Sequence, residues 1–235
     1  MLGMAAPCLS QAAALKPLRI VSSHLPPLVL ESGEMPGALM ELVQELCRRL
    51  QLAPAVEFVP WQRAMFIATG SAATAIFPLT RTPAREQQFR WLAPLYEERF
   101  IFLAPRASGF DVRHPLRMHA RRITIMRGAA QQQILAELGY HNLVEANSID
   151  EVHRFLVGGM ADAAFGERNI IETSLRVREE RTDFILSEPI RRATAWLAGS
   201  LDFSAADAAR YQRTMAAMVA DGFCQRIFKK YGMLM

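Results

Sequence analysis

Cysteine is scarce: there are three in 235 residues. Cys8 lies in the N-terminal tail, Cys47 in a helical pattern and Cys224 near the C-terminus. No CxxC pair or Cys/His spacing points to a metal. Lone helix cysteines are ordinarily small core residues, and a Cys47–Cys224 bridge is left open. No apolar run reaches about 18 residues, which excludes a membrane-spanning helix. A Ser-His-Asp set, a glycine-rich phosphate loop, internal repeats and low-complexity stretches are all missing. Neither charge sign dominates, with 27 Lys and Arg against 23 Asp and Glu, a net of +4. The densest basic cluster is Arg113, His114, Arg117, His119, Arg121 and Arg122. Without interleaved aromatics or a binding motif, it reads as a solvated loop, not a nucleic-acid surface. Steering of anionic ligands is a weaker account.

Apolar residues are plentiful, 51% of the chain, enough for one large domain or two small lobes with cores of their own. Residues 1–16, MLGMAAPCLSQAAALK, resemble the end of a secretory leader, with Ala12 and Ala14 in an A-x-A arrangement but no basic segment before it. A leader remnant implies export to the periplasm; a frayed tail is the alternative.

Residues 18–22 (LRIVS) read as a strand, followed by a Pro- and Gly-rich loop. From Gly37 the residues Leu39, Leu42, Val43, Leu46, Cys47 and Leu50 recur at helical spacing. A strand over 55–61, a helix over 62–69 and a buried strand over 75–79 complete a first α/β series. Thr82-Pro83 reads as N-cap and first helical residue, which places Arg85 one turn in. An Arg fork beside free N–H groups suits a carboxylate or phosphate, although Arg85 alone reads as a solvated helix charge. In such sheets ligands sit beyond the carboxyl ends of the strands, so the loops 22–28 and 80–85 are the places to look.

A long apolar strand over 99–105 leaves this series. A second begins at 122–126, with a helix over 129–138 and a strand over 141–146. Ser148 and Glu151 form an expected capping box, before a strand at 162–165 and a helix over 167–175. Strands at 184–186 and 193–198 follow, then a long helix opened by Ser204 and Asp207 and a short final helix. The expected fold is α/β, with two lobes, the second inserted into the first. Residues 17–104 and 199–235 form lobe one, and 105–198 form lobe two. Crossing strands near 100–105 and 194–199 form the hinge.

Three segments, in order, carry a resemblance. Thr82-Pro83-Ala84-Arg85 is followed by an aromatic-x-x-Pro, Trp91 to Pro94. Gly158-Gly159-Met160-Ala161-Asp162-Ala163 precedes a second-lobe strand. Asp221-Gly222-Phe223 and Ile227-Phe228-Lys229-Lys230-Tyr231-Gly232 close the chain. Together they resemble the bacterial solute-binding proteins of family 3, which serve polar amino-acid ABC importers and have the type II periplasmic-binding fold. The resemblance runs from about Leu18 to the end.

By resemblance, Arg85 and Thr80 hold the ligand's carboxylate, and Glu167 stands where the family has an Asp for the α-amino group. Glu167 also reads as a helix N-terminal charge favoured by the macrodipole. Ala129 and Ala130 replace the family's Thr-Thr after Gly128, leaving only backbone N–H groups there. Leu25 stands where an aromatic commonly stacks, and His24 lies in the same loop. Trp61 fits both a ligand wall and core packing; Arg63 reads as a helix charge. The resemblance implies a monomeric, exported binder of a small polar ligand with an importer as partner, and it calls for no cofactor. The alternatives are an enzyme like the cyclohexadienyl and arogenate dehydratases, with Glu167 as the acid, or a ligand-sensing module.

Overall fold

The computed structural model describes residues 15–109, 111–114 and 118–233. Cys8, Ala12, Ala14 and Arg117 lie outside the described residues. The first lobe opens with β1 (Lys16–Ser22), α1 (Ala38–Arg49), β2 (Leu52–Phe58), α2 (Trp61–Gly70) and β3 (Thr74–Thr80). A long strand, β4 (Arg90–Pro105), runs from it into the second lobe. There follow β5 (Ile123–Met126), α3 (Gln131–Glu137), β6 (Leu143–Ala146), α4 (Ile149–Val157), β7 (Ala163–Glu167), α5 (Arg168–Val177) and β8 (Phe184–Leu186). The strand β9 (Arg191–Gly199) returns to the first lobe, which α6 (Ala205–Ala220) and α7 (Phe223–Lys230) complete.

All the strands form one 9-stranded sheet in the order β2-β1-β3-β9-β4-β7-β5-β6, with β8 also on β4. The outer pairs, β1 with β2 and β3, and β5 with β6 and β7, are parallel. The two centre strands are antiparallel, from Arg90↔Gly199 to Phe100↔Arg191. Beyond Phe100, β4 pairs with β7 and β8 instead. Glu97, Glu98 and Arg99, opposite Thr194, Ala193 and Arg192, therefore lie where the two lobes' sheets join.

Each lobe fills both faces of its half of the sheet. In lobe one, Leu42, Leu46 and Cys47 of α1 meet Phe77, Met215 of α6 and Phe228 of α7. Burying each such large side chain stabilises the fold by roughly 1.5–3 kcal/mol. Lobe two buries Phe102, Ile125 and Phe165 on one face and Leu103, Leu156 and Leu175 on the other. Cys47 and Cys224 are both buried and free. Among the described residues, no helix is long and apolar enough to cross a membrane. Within the basic cluster, Arg113 pairs with Asp111 and Arg122 with Asp162, so those charges are compensated locally.

Several local expectations need correction. The helix expected after Thr82 is a single 3-10 turn (Pro83–Arg85), and Thr82 caps nothing. Its buried hydroxyl has no hydrogen-bond partner. Trp61 begins α2 instead of ending β2, because Pro60 closes the strand and leads into the helix. Ser148 accepts from the Glu151 N–H, but the Glu151 carboxylate accepts from Asn147, one residue before the cap, so the box is only half made. Ser204 and Asp207 make the complete reciprocal box on α6.

Candidate functional site

The site starts at the end of β3. Pro78 has no N–H to give to the ladder, and the register with β9 shifts between Ile76 and Leu79. Thr80 closes the strand, and its hydroxyl donates to Glu98 Oε1 at 3.2 Å. The 3-10 turn then folds Arg85 back over the strand end. Its guanidinium donates from Nη1 to the Thr80 carbonyl at 3.1 Å and from Nη2 to the Gly128 carbonyl at 2.9 Å. The indole N–H of Trp61 reaches the same Gly128 carbonyl at 3.2 Å. Two donors of lobe one thus hold one acceptor of lobe two, and the lobes stand closed. Arg85 is only 8% exposed, so it is not a solvated helix charge. Burial pushes its pKa down to about 10, with Glu98 opposing, and the group stays charged at neutral pH.

Two buried carboxylates stand at the lobe junction, Glu98 beside Arg85 and Glu167 beside Glu98. Side chains alternate along β4, so Tyr96, Glu98 and Phe100 share a face. Glu98 is buried, and its Oε2 has no hydrogen-bond partner. Burial, then the neighbouring Glu167, pushes its pKa up to about 8, against the Thr80 hydroxyl and Arg85. Glu167 ends β7 opposite Phe100 and is the N-cap of α5. Its Oε2 accepts from the Ile170 N–H at 3.0 Å and its Oε1 from the Asn169 amide at 3.1 Å. Burial nevertheless raises its pKa to about 7, with those hydrogen bonds opposing. The Tyr96 hydroxyl, buried beside these carboxylates, is held well above its usual pKa by burial, then by Glu167 and Glu98.

A cavity of about 80 Å³ lies between the lobes against these carboxylates. Thr80, Trp61, Leu25, Ala129, Ala130 and Glu167 line it, so six of the residues singled out in the sequence converge. Arg85 stands behind this wall. His24 does not line the cavity; it is exposed at the cleft mouth, where its Nδ1 accepts from the Glu31 N–H at 3.2 Å. The anion-binding N–H groups expected at Ala129 and Ala130 are not offered by Ala129, whose N–H donates to the Met126 carbonyl at 3.2 Å. The turn at Gly128 (φ 73°) presents a carbonyl to lobe one instead.

Glu98 and Gln131 line the cavity, with Tyr96 buried beside Glu98, and sequence reasoning missed all three. Glu98 had a signal: an acidic residue in phase with Tyr96 and Phe100 on the apolar face of a strand. Among the described residues, no group of His, Cys, Asp and Glu could hold a metal ion.

The fold is similar to several solved structures. One is an arginine transport system periplasmic binding protein from Legionella pneumophila, with TM-score 0.80 and 17% identity over 92% of this chain and 99% of that one. Another is a histidine kinase sensor domain with similarity to periplasmic binding proteins, with TM-score 0.81 and 18% identity over 91% and 95%. A third is the GluR0 ligand-binding core from Nostoc punctiforme, solved with L-glutamate, with TM-score 0.78 and 14% identity over 91% and 98%. At such identities the likeness is one of fold. No curated sequence matches the chain. The profile of the bacterial extracellular solute-binding proteins, family 3, matches residues 18–233, and with the two-lobed sheet and the closed cleft this establishes that the chain belongs to that family.

Proposed function

We propose that the protein captures a small amine-bearing solute, an amino acid or related compound, between its lobes, and that the closed form is what an ABC importer recognises. One observation carries this reading: Arg85 on lobe one and Glu98 and Glu167 at the lobe junction are buried around one closed cleft. Buried charges are tolerated only when paired, so closure is favourable with the matching solute in place. Glu167 and Glu98 take the cationic group. A guanidinium has five N–H donors. Arg85 gives two to the carbonyls of Thr80 and Gly128, and its positive charge stands behind the cavity wall, beside Glu98. The lobes are taken as residues 17–104 with 199–235, and 105–198, and the molecule as an exported monomer that works in the periplasm.

A thermal-shift screen against amino acids, amines, small carboxylates and prephenate tests the reading. A solute that binds only the folded state raises Tm by mass action, by about 2.7 kcal/mol of stability at a hundredfold excess over Kd. Arg85→Ala loses that shift while its circular dichroism stays native. A full shift in Arg85→Ala would remove Arg85 from the site. The reading is of a binder, not a catalyst. The enzymatic alternative draws on Glu167, whose pKa near 7 leaves it partly protonated at neutral pH, as a general acid requires. Turnover of prephenate by the purified protein would favour that alternative.

A further inference from the structure

The cavity wall is uneven in its chemistry. Its charged groups beside the hinge are two carboxylates, Glu98 and Glu167. Two of its oxygens are buried acceptors with no hydrogen-bond partner, Glu98 Oε2 and Gln131 Oε1. Glu98 is 5% exposed, so no bulk water completes its shell. Arg85 does not line the cavity, and its guanidinium is turned to the Thr80 and Gly128 carbonyls. His153, at another part of the wall, is bonded to Glu180. Most of the remaining wall is hydrocarbon, running into lobe two past Val152, Leu156, Ile171 and Leu175.

Charge counting narrows the ligand. Above about pH 8 both carboxylates are ionised, and the buried cluster then carries one negative charge more than Arg85 offsets. A zwitterion leaves that excess in place; a ligand of net charge +1 removes it, and buried charge is costly unless paired. Donors, not acceptors, are what the unpartnered oxygens need. Size narrows it further. An apolar cavity of about 150 Å³ accommodates benzene. This one, at about 80 Å³, suits a slimmer chain.

We infer that the cleft is built for a short, unbranched aliphatic amine, its ammonium between Glu98 and Glu167 and its hydrocarbon tail along Leu156 and Leu175. The inference rests on the solute-capture reading and narrows its ligand class. The ammonium donates to Glu98 Oε2, the unpartnered carboxylate oxygen. No carboxylate on the ligand is required.

Titration calorimetry on the full chain at pH 8.5 tests this with n-butylamine, 1-butanol and norvaline. These share a hydrocarbon chain and differ in charge: a cation, a neutral alcohol and a zwitterion. The expected result is saturable binding of n-butylamine, at least tenfold tighter than norvaline, and no binding of 1-butanol. Glu98→Gln keeps the shape and removes the charge, and it should weaken n-butylamine at least tenfold without lowering Tm. Norvaline binding as tightly as n-butylamine would overturn the inference and leave the solute-capture reading intact. Unchanged n-butylamine affinity in Glu98→Gln would also overturn it. If no amine binds and no amino acid raises Tm, both fall.

Discussion

Side-chain alternation along β4 places Glu98 inside and Glu97 outside, where Glu97 meets Arg192 at 2.8 Å. The two residues look alike in the sequence, and only their phase against Tyr96 and Phe100 separates them. Reading the apolar strand from residue 99 onward left Glu98 at an assumed boundary, so the phase went unused. Arg85, Thr80 and Glu167 were legible because a motif marks them. Gln131 carries no such mark; its placement depends on how α3 meets the hinge. A testable consequence follows for pH. Glu98 is faced by Thr80, Arg85, Tyr96 and Glu167, and it and Glu167 have folded pKa values of about 8 and 7 against an ordinary value of 4.5. Between these limits the folded state holds protons that the unfolded chain has released, so stability falls as pH rises. Glu45, held at about 2 by its hydrogen bond to Arg48, acts in the opposite sense at acid pH. Tm of the ligand-free protein should therefore decline from about pH 5 to pH 9. Glu98→Gln should flatten that decline and raise Tm at pH 9. A calorimetric profile that matches the wild type would refute this origin.

At the scale of elements, helix periodicity found α1 and α6, and the strand runs found β1, β3 and β7. What it missed was continuity. β4 is one 16-residue strand, but register shifts at Trp91/Ala93 and Pro94/Tyr96 break its alternation, so in sequence only its end, 99–105, reads as a strand. Caps were legible only in part, since a side chain can serve the neighbouring residue, as Glu151 serves Asn147. Gly37, which opens α1, shows why a residue type is required. Its φ is 104°, and a Cβ there would stand 2.5 Å from the Leu28 carbonyl oxygen. Its carbonyl accepts from the Glu41 N–H at 3.0 Å, beginning the helix. Gly37→Ala should destabilise the protein by about 2–3 kcal/mol, from left-handed backbone strain and the clash together. The urea midpoint measures this, and an unshifted midpoint would mean that the loop at Leu28 yields freely.

For the whole molecule, two α/β series in order were enough to expect two lobes, because each series needs its own core. How the lobes meet was not legible. The contact between Trp61, Arg85 and Gly128 joins residues far apart in the chain, and nothing local marks a carbonyl as its target. That contact joins the two lobes and so favours the closed form. Trp61→Phe keeps the ring but loses the N–H bonded to Gly128. One hydrogen bond contributes about 1 kcal/mol, which changes an equilibrium ratio roughly fivefold. Small-angle scattering of ligand-free Trp61→Phe should give a larger radius of gyration than the wild type, with saturating ligand restoring the compact value. Equal radii without ligand would show that other contacts hold the cleft.

The first lobe is assembled from both ends of the chain. The Gly37 N–H donates to the Tyr231 hydroxyl at 3.1 Å, and that hydroxyl donates to Glu41 at 2.6 Å. The strands β5 to β8, by contrast, are contiguous in sequence. On the ribosome, the inserted half can gather as it emerges, while the half that encloses it lacks a wall until the last helix is released.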